Sequence, residues 1–139
     1  MILMKSIRFP MFPSKDSSVR LADILREVPE NNWKWVLLDF DGSGVMPRGM
    51  TFQELESELI DGEGGIGLSW LELKDFSESL RDEIDMRIVA VDWSSHVEFN
   101  AFLDSDFYVA IEARDSGEWE VWGDLIEGFS KSLKGKFLV

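Results

Sequence analysis

Apolar residues recur along this chain with two different periods, and the switches between them divide it into elements. Val19, Leu21, Ile24, Leu25 and Val28 fall on one side of a helix, Ser17 or Ser18 can cap its start, and Pro29 stops it, so a helix is predicted over 18–28. Phe52, Leu55 and Leu59, with Ile60 beside them, predict a second over 52–61, ended by Gly62. Trp70, Leu73, Phe76 and Leu80 predict a third over 70–82. Each of these two opens on a capping box, Thr51-x-x-Glu54 and Ser69-x-x-Glu72, in which hydroxyl and carboxylate satisfy each other's backbone amides. A last helix is predicted in DLIEGFSKSLKGKF, capped by Asp124 or Gly123. Leu125, Ile126, Phe129 and Leu133 face inward, and Lys131, Lys134 and Lys136 complement the dipole at its end.

Period two marks the strands. WKWVLLDF (33–40) reads as a buried strand, MRIVAVD (86–92) as a central one, and FYVAIEA (107–113) and EWEVWG (118–123) as a hairpin closed by Asp115-Ser116-Gly117. SIRFPMF reads as an edge strand or extended arm, because Pro10 and Pro13 cannot donate to a ladder on both sides. In WSSHVEFNAFLDSD, Val97, Phe99, Ala101 and Leu103 alternate as in a strand, although Phe99, Phe102 and Leu103 also suit a short helix. GEGGIG (62–67) follows no predicted strand and precedes no lysine, so it is neither a phosphate loop nor a dinucleotide fingerprint and reads as a connection. The pattern gives a single α+β domain over 1–139: an antiparallel or mixed sheet of four to six strands with about four helices.

Composition fits one core. The chain has 139 residues, is 45% hydrophobic, and carries ten Phe and six Trp, enough apolar area to outweigh its charge. Without cysteine it has no disulfide or thiolate metal site. With no long apolar run either, it is expected to be a cytoplasmic protein.

Charge changes the picture more. The formal net charge is −13, and Glu54 to Asp85 holds eleven acidic side chains against Lys74 and Arg81. Such a chain repels phosphate backbones and anionic lipid, so nucleic-acid and membrane binding are not expected, and the charge serves either a basic protein partner or plain solubility. The outward residues of the second and third helices, with the loop between them, supply the candidate partner-binding face: Glu54, Glu58, Asp61, Glu63, Glu72, Asp75, Glu78 and Asp82, with Trp70 as a nearby apolar anchor.

Catalytic candidates are few. DFDGSG (39–44) resembles the first motif of haloacid-dehalogenase-type phosphatases, which would make Asp39 a nucleophile and Asp41 a general acid beside Mg²⁺. Ser43 stands where Thr is usual, and the chain is short for a doubly wound sheet. The same run fails as an EF-hand loop because Met50 occupies the position of the bidentate Glu. A polar turn at a strand end, with Gly42 and Gly44 at positive φ, is the preferred reading. His96 is the one histidine, and Ser94 and Ser95 beside it lack a nucleophile elbow, so no catalytic residue, metal ligand or cofactor is assigned.

Two segments, GIGLSWLELKDFSESL (65–80) and FYVAIEARDSGEWEVWGDLIEGF (107–129), resemble small acidic immunity proteins encoded beside bacterial polymorphic toxins and contact-dependent inhibition effectors. The resemblance covers about a third of the chain and carries no site residues. It implies a role, the inhibition of a cognate toxin, often a basic nuclease, by an acidic surface. A phosphatase-like enzyme and an acidic structural subunit are the alternatives.

Overall fold

In a computed structural model, residues 6–61, 65–97, 106–123 and 128–137 are described. In chain order they form β1 (Ser6–Pro10), α1 (Leu21–Leu25), β2 (Lys34–Ser43), a 3₁₀ turn (Pro47–Gly49), α2 (Phe52–Asp61), β3 (Ile66–Leu68), α3 (Trp70–Ser79), β4 (Asp82–Val91), β5 (Val109–Arg114), β6 (Glu118–Trp122) and α4 (Phe129–Phe137). The six strands make one antiparallel sheet in the order β1-β6-β5-β4-β2-β3, and the domain is α+β. Among the described residues no helix is long and apolar enough to cross a membrane.

The sheet has two unlike faces. On one, alternate residues of the strands, including Ile7, Phe9, Trp35, Leu37, Met86, Ile88, Val109, Ile111, Trp119 and Val121, join residues of all four helices in a single apolar cluster. Trp35 stacks on Trp70 of α3 at 5.5 Å between ring centroids. Phe40 lies between Phe52 of α2 (6.3 Å) and Phe76 of α3 (5.2 Å), so the sheet sets the spacing of these two helices. Aromatic pairs at such separations add about 1 kcal/mol each beyond the area they bury.

The opposite face is divided. One end carries a second apolar cluster of Val36, Leu38, Val89, Val91, Val97, Phe107, Ala110 and Trp122. At the other, cross-strand neighbours form a charged row from Arg8 through Glu120, Glu112 and Arg87 to Asp39. Two glutamates directly opposite each other would repel. Arg114 relieves this by reaching both Glu112 and Glu120 at 2.5 Å, while Arg87 and Arg8 pair with them from the flanks at 2.9 and 3.0 Å. Burial by itself would raise the Glu120 carboxyl, yet bonds from Ser6, Arg114 and Arg8 outweigh it and hold the group below its ordinary value.

Several boundaries differ from the sequence reading for identifiable reasons. The first helix spans Leu21–Leu25 and is capped by Arg20 and Asp23, because Ser17 is engaged with Ser14 in a turn further out. Strand β2 does not stop at Phe40 but continues through Asp39–Ser43, paired with β4 across two register shifts, so DFDGS is strand and not a terminal turn. Gly42 is not at positive φ; it is required because the Asp82 carbonyl lies 2.2 Å from where a Cβ would sit. The third helix ends at Ser79, with Leu80 extended, and Asp82 begins β4. Ile66–Leu68 pairs with Trp35–Leu37, so part of the glycine-rich connection is an edge strand. Gly65 enters it at φ +70°, where a Cβ would lie 2.5 Å from the Leu37 carbonyl. The strand expected around 97–103 and the helix start at 123–127 lie largely outside the described residues.

Candidate functional site: the α3 ridge

Both capping boxes form. Thr51 and Glu54 exchange bonds of 3.1 and 3.0 Å at the start of α2, and Ser69 and Glu72 do the same at the start of α3. Glu54 and Glu72 are therefore helix-start ligands as well as surface charges. Glu72 also binds Arg48 at 2.9 Å, and this bond first, then the Ser69 amide, holds its carboxyl below the ordinary value. Arg48 sits at φ 57° and also donates to the Gly67 carbonyl at 2.6 Å, which ties the 45–49 loop to both α3 and β3.

The remaining candidates separate into classes. Glu58, Asp75 and Glu78 are exposed and make no ion pair or side-chain hydrogen bond among the described residues; Glu56 is in the same position. Asp82 is exposed on β4, where it accepts from the Ser43 hydroxyl at 3.0 Å. Asp61 closes α2, and Glu63 lies outside the described residues. Trp70 is only 7% exposed, stacked on Trp35 and overlaid by the Lys74 ammonium at 5.2 Å from its ring. Its burial corrects the expected role as a partner-facing anchor, since the ring already packs the core; its indole N–H has no hydrogen-bond partner there.

Sequence reasoning missed the apolar side chains that are available. Leu71 is 65% exposed, Trp93 56% and Val45 69%. They border two depressions beside α3. One, of about 370 Å³, lies at its N-terminal end between Trp33, Trp70, Leu71 and Trp93. The other, of about 270 Å³, lies between the 45–49 loop and the flank carrying Glu72, Asp75 and Ser79. Ser79 fixes that loop by accepting from the Val45 amide at 3.1 Å. The helical spacing itself held a signal: Leu71 falls outside the inward stripe of Trp70, Leu73 and Phe76 and on one line with Asp75 and Glu78.

The catalytic alternative finds a different setting. Asp39 and Asp41 stand on β2 within an antiparallel sheet, opposite Arg87 and Asp85, where the phosphatase resemblance calls for a parallel doubly wound one. Partial burial, helped by Asp85 and Asp41, raises the Asp39 carboxyl against the Phe40 amide and Arg87. No group of three or more candidate ligands that could hold a metal occurs among the described residues. His96 is exposed in the segment after β4.

No family model matches the chain, and no curated protein or solved structure does.

Proposed function

We propose that this chain is a non-catalytic protein-binding module that neutralises a basic toxin, in the manner of the bacterial immunity proteins it resembles. The observation that carries this is the set of exposed carboxylates on α2 and α3, Glu56, Glu58, Asp75 and Glu78, which have no cation of their own among the described residues. Several of the other acids are engaged internally, Glu83 by Arg20, Glu112 and Glu120 by three arginines and Glu27 by Lys136, while Asp16, Asp41 and Asp106 stand exposed but scattered along the chain. Uncompensated charge gathered on one pair of helices raises the local potential, steers an oppositely charged partner and specifies which surface it meets. A core built around the inward faces of these helices keeps that surface rigid.

The test is genetic and then kinetic. Co-expression with the product of the adjacent gene should restore growth that this product alone arrests, and Asp75→Lys with Glu78→Lys should abolish the rescue while leaving the fold intact. On-rates for the pair should fall steeply with ionic strength. An acidic structural subunit would instead give a stable complex with no effect on growth.

A further inference from the structure

We infer that the Trp33–Leu71–Trp93 cleft is the anchor point of that interface, and that it takes an apolar side chain carried on a lysine- or arginine-rich segment of a protein partner. The inference rests on the proposed toxin-binding role and adds where binding energy is concentrated and what the partner must present.

Three observations converge on the cleft. Its walls are preformed: Trp33 stacks flat on Tyr108 at 4.4 Å, and the Trp93 indole N–H donates to the Asn32 carbonyl at 2.8 Å, so two rings are held in place with no partner present. Preformed aromatic walls reduce the ordering entropy that binding costs. Second, two large apolar side chains, Leu71 and Trp93, remain more than half exposed at its rim, and aromatic and apolar side chains that a partner would bury are where interface energy concentrates. Third, charge decides the occupant. Leu71 begins a line on α3 that continues through Asp75 and Glu78, both without a cation, so the cleft opens onto an acidic track.

The nearby lysines do not pair with that track: Lys74 lies over the Trp70 ring and reaches Glu30 at 3.5 Å, and the Lys34 ammonium is bound to the Ser95 carbonyl at 2.6 Å. An acidic or neutral apolar segment would meet Asp75 and Glu78 without compensation, whereas a basic one satisfies them as it seats its anchor.

Panning a random peptide library on the full-length chain tests this with a defined probe. Recovered peptides should pair a Leu or aromatic residue with Lys or Arg to one side of it. Their affinity should drop at least about tenfold on Trp93→Ala, as expected for a hot-spot residue, recover largely with Trp93→Phe, and drop comparably on Leu71→Asp, whose exposed helical position tolerates the change. The inference fails if the recovered peptides lack basic residues, if neither cleft substitution weakens them, or if no binder is recovered. The two readings fail separately. Cleft-dependent basic peptides without growth rescue would remove the immunity role and leave the cleft, while rescue indifferent to Trp93→Ala and Leu71→Asp would remove the cleft and leave immunity.

Discussion

Glu78 and Glu83 stand five residues apart in the same acidic block, and the structure predicts opposite outcomes for the same isosteric change at each. Glu83 is buried, accepts from the Leu21 amide at 2.6 Å and pairs with the Arg20 guanidinium, so one carboxylate ties the first residue of α1 to the start of β4. In Glu83→Gln the side-chain NH₂ either faces a guanidinium donor or displaces the acceptor from the Leu21 amide. Breaking one side of a fully buried pair costs about 3–5 kcal/mol. Arg20 retains 35% side-chain exposure and recovers some hydration, which reduces the expected loss to about 2–3 kcal/mol. With an unfolding entropy of about 2 cal/mol/K per residue, that corresponds to a fall in Tm of roughly 7–10 °C. Urea titration followed by tryptophan emission should show a lower midpoint at unchanged slope, insensitive to salt. Glu78→Gln, at an exposed residue with no partner, should stay within about 0.5 kcal/mol of the parent. Equal losses at the two sites, or a loss at Glu83 below about 1 kcal/mol, would refute the assignment of Glu83 as a structural tie.

Two further outcomes follow from the sheet. Gly42→Ala places a methyl 2.2 Å from the Asp82 carbonyl, so β2 and β4 must separate locally. A loss of about 2 kcal/mol or more is expected by chemical denaturation, and a neutral result would show that the bulged register is not rigid. Glu27, Glu72 and Glu120 all have carboxyls held below their ordinary value in the folded chain. Their contribution is fully present above that ordinary value and is lost as pH falls from it through the folded values. Stability should therefore decline on acidification through that range, and Glu120→Gln should flatten the slope. Asp39, whose carboxyl is raised, acts in the opposite sense, so Asp39→Asn should not reduce stability at neutral pH, as measured by the same titrations.

What could be read from the residues depended on whether the signal was local. Both capping boxes and the α2 boundaries were legible because the hydroxyl, carboxylate and amides involved lie within four residues. The Asp115–Gly117 hairpin turn was legible for the same reason, and it bears Asp115 at φ 50° and Ser116 at φ 56°. Strand β3 was hidden because three residues, one of them Gly67, have no periodicity of their own and are strand only through pairing with Trp35–Leu37. The start of β4 was hidden because Asp82-Glu83-Ile84-Asp85 reads as a polar helix end. Its place in the sheet depends on Ser43 and Arg20, tens of residues away in sequence. At the candidate site, apolar spacing and capping boxes located the helices, but charge does not distinguish a carboxylate already paired, such as Glu72, from a free one such as Glu78. Trp70 and Leu71 show the same limit for apolar residues, since one helical step of about 100° separates a core ring from a surface anchor.

The pairing of β1 with β6 has a consequence for how the chain is made. Residues 6–10 are synthesised early, yet their partners are 118–122. At translation rates of about 5–20 residues per second, the interval between the two strands is on the order of ten seconds. Throughout it Ile7 and Phe9, both buried in the finished sheet, have no strand to pair with, and the cluster they join is not complete until α4 supplies Phe129 and Leu133. The sheet therefore grows from its β2–β3 edge toward β6 during synthesis, with its first strand docking among the last. A nascent chain interrupted between Arg114 and Glu118 carries an open β5 edge for others to join.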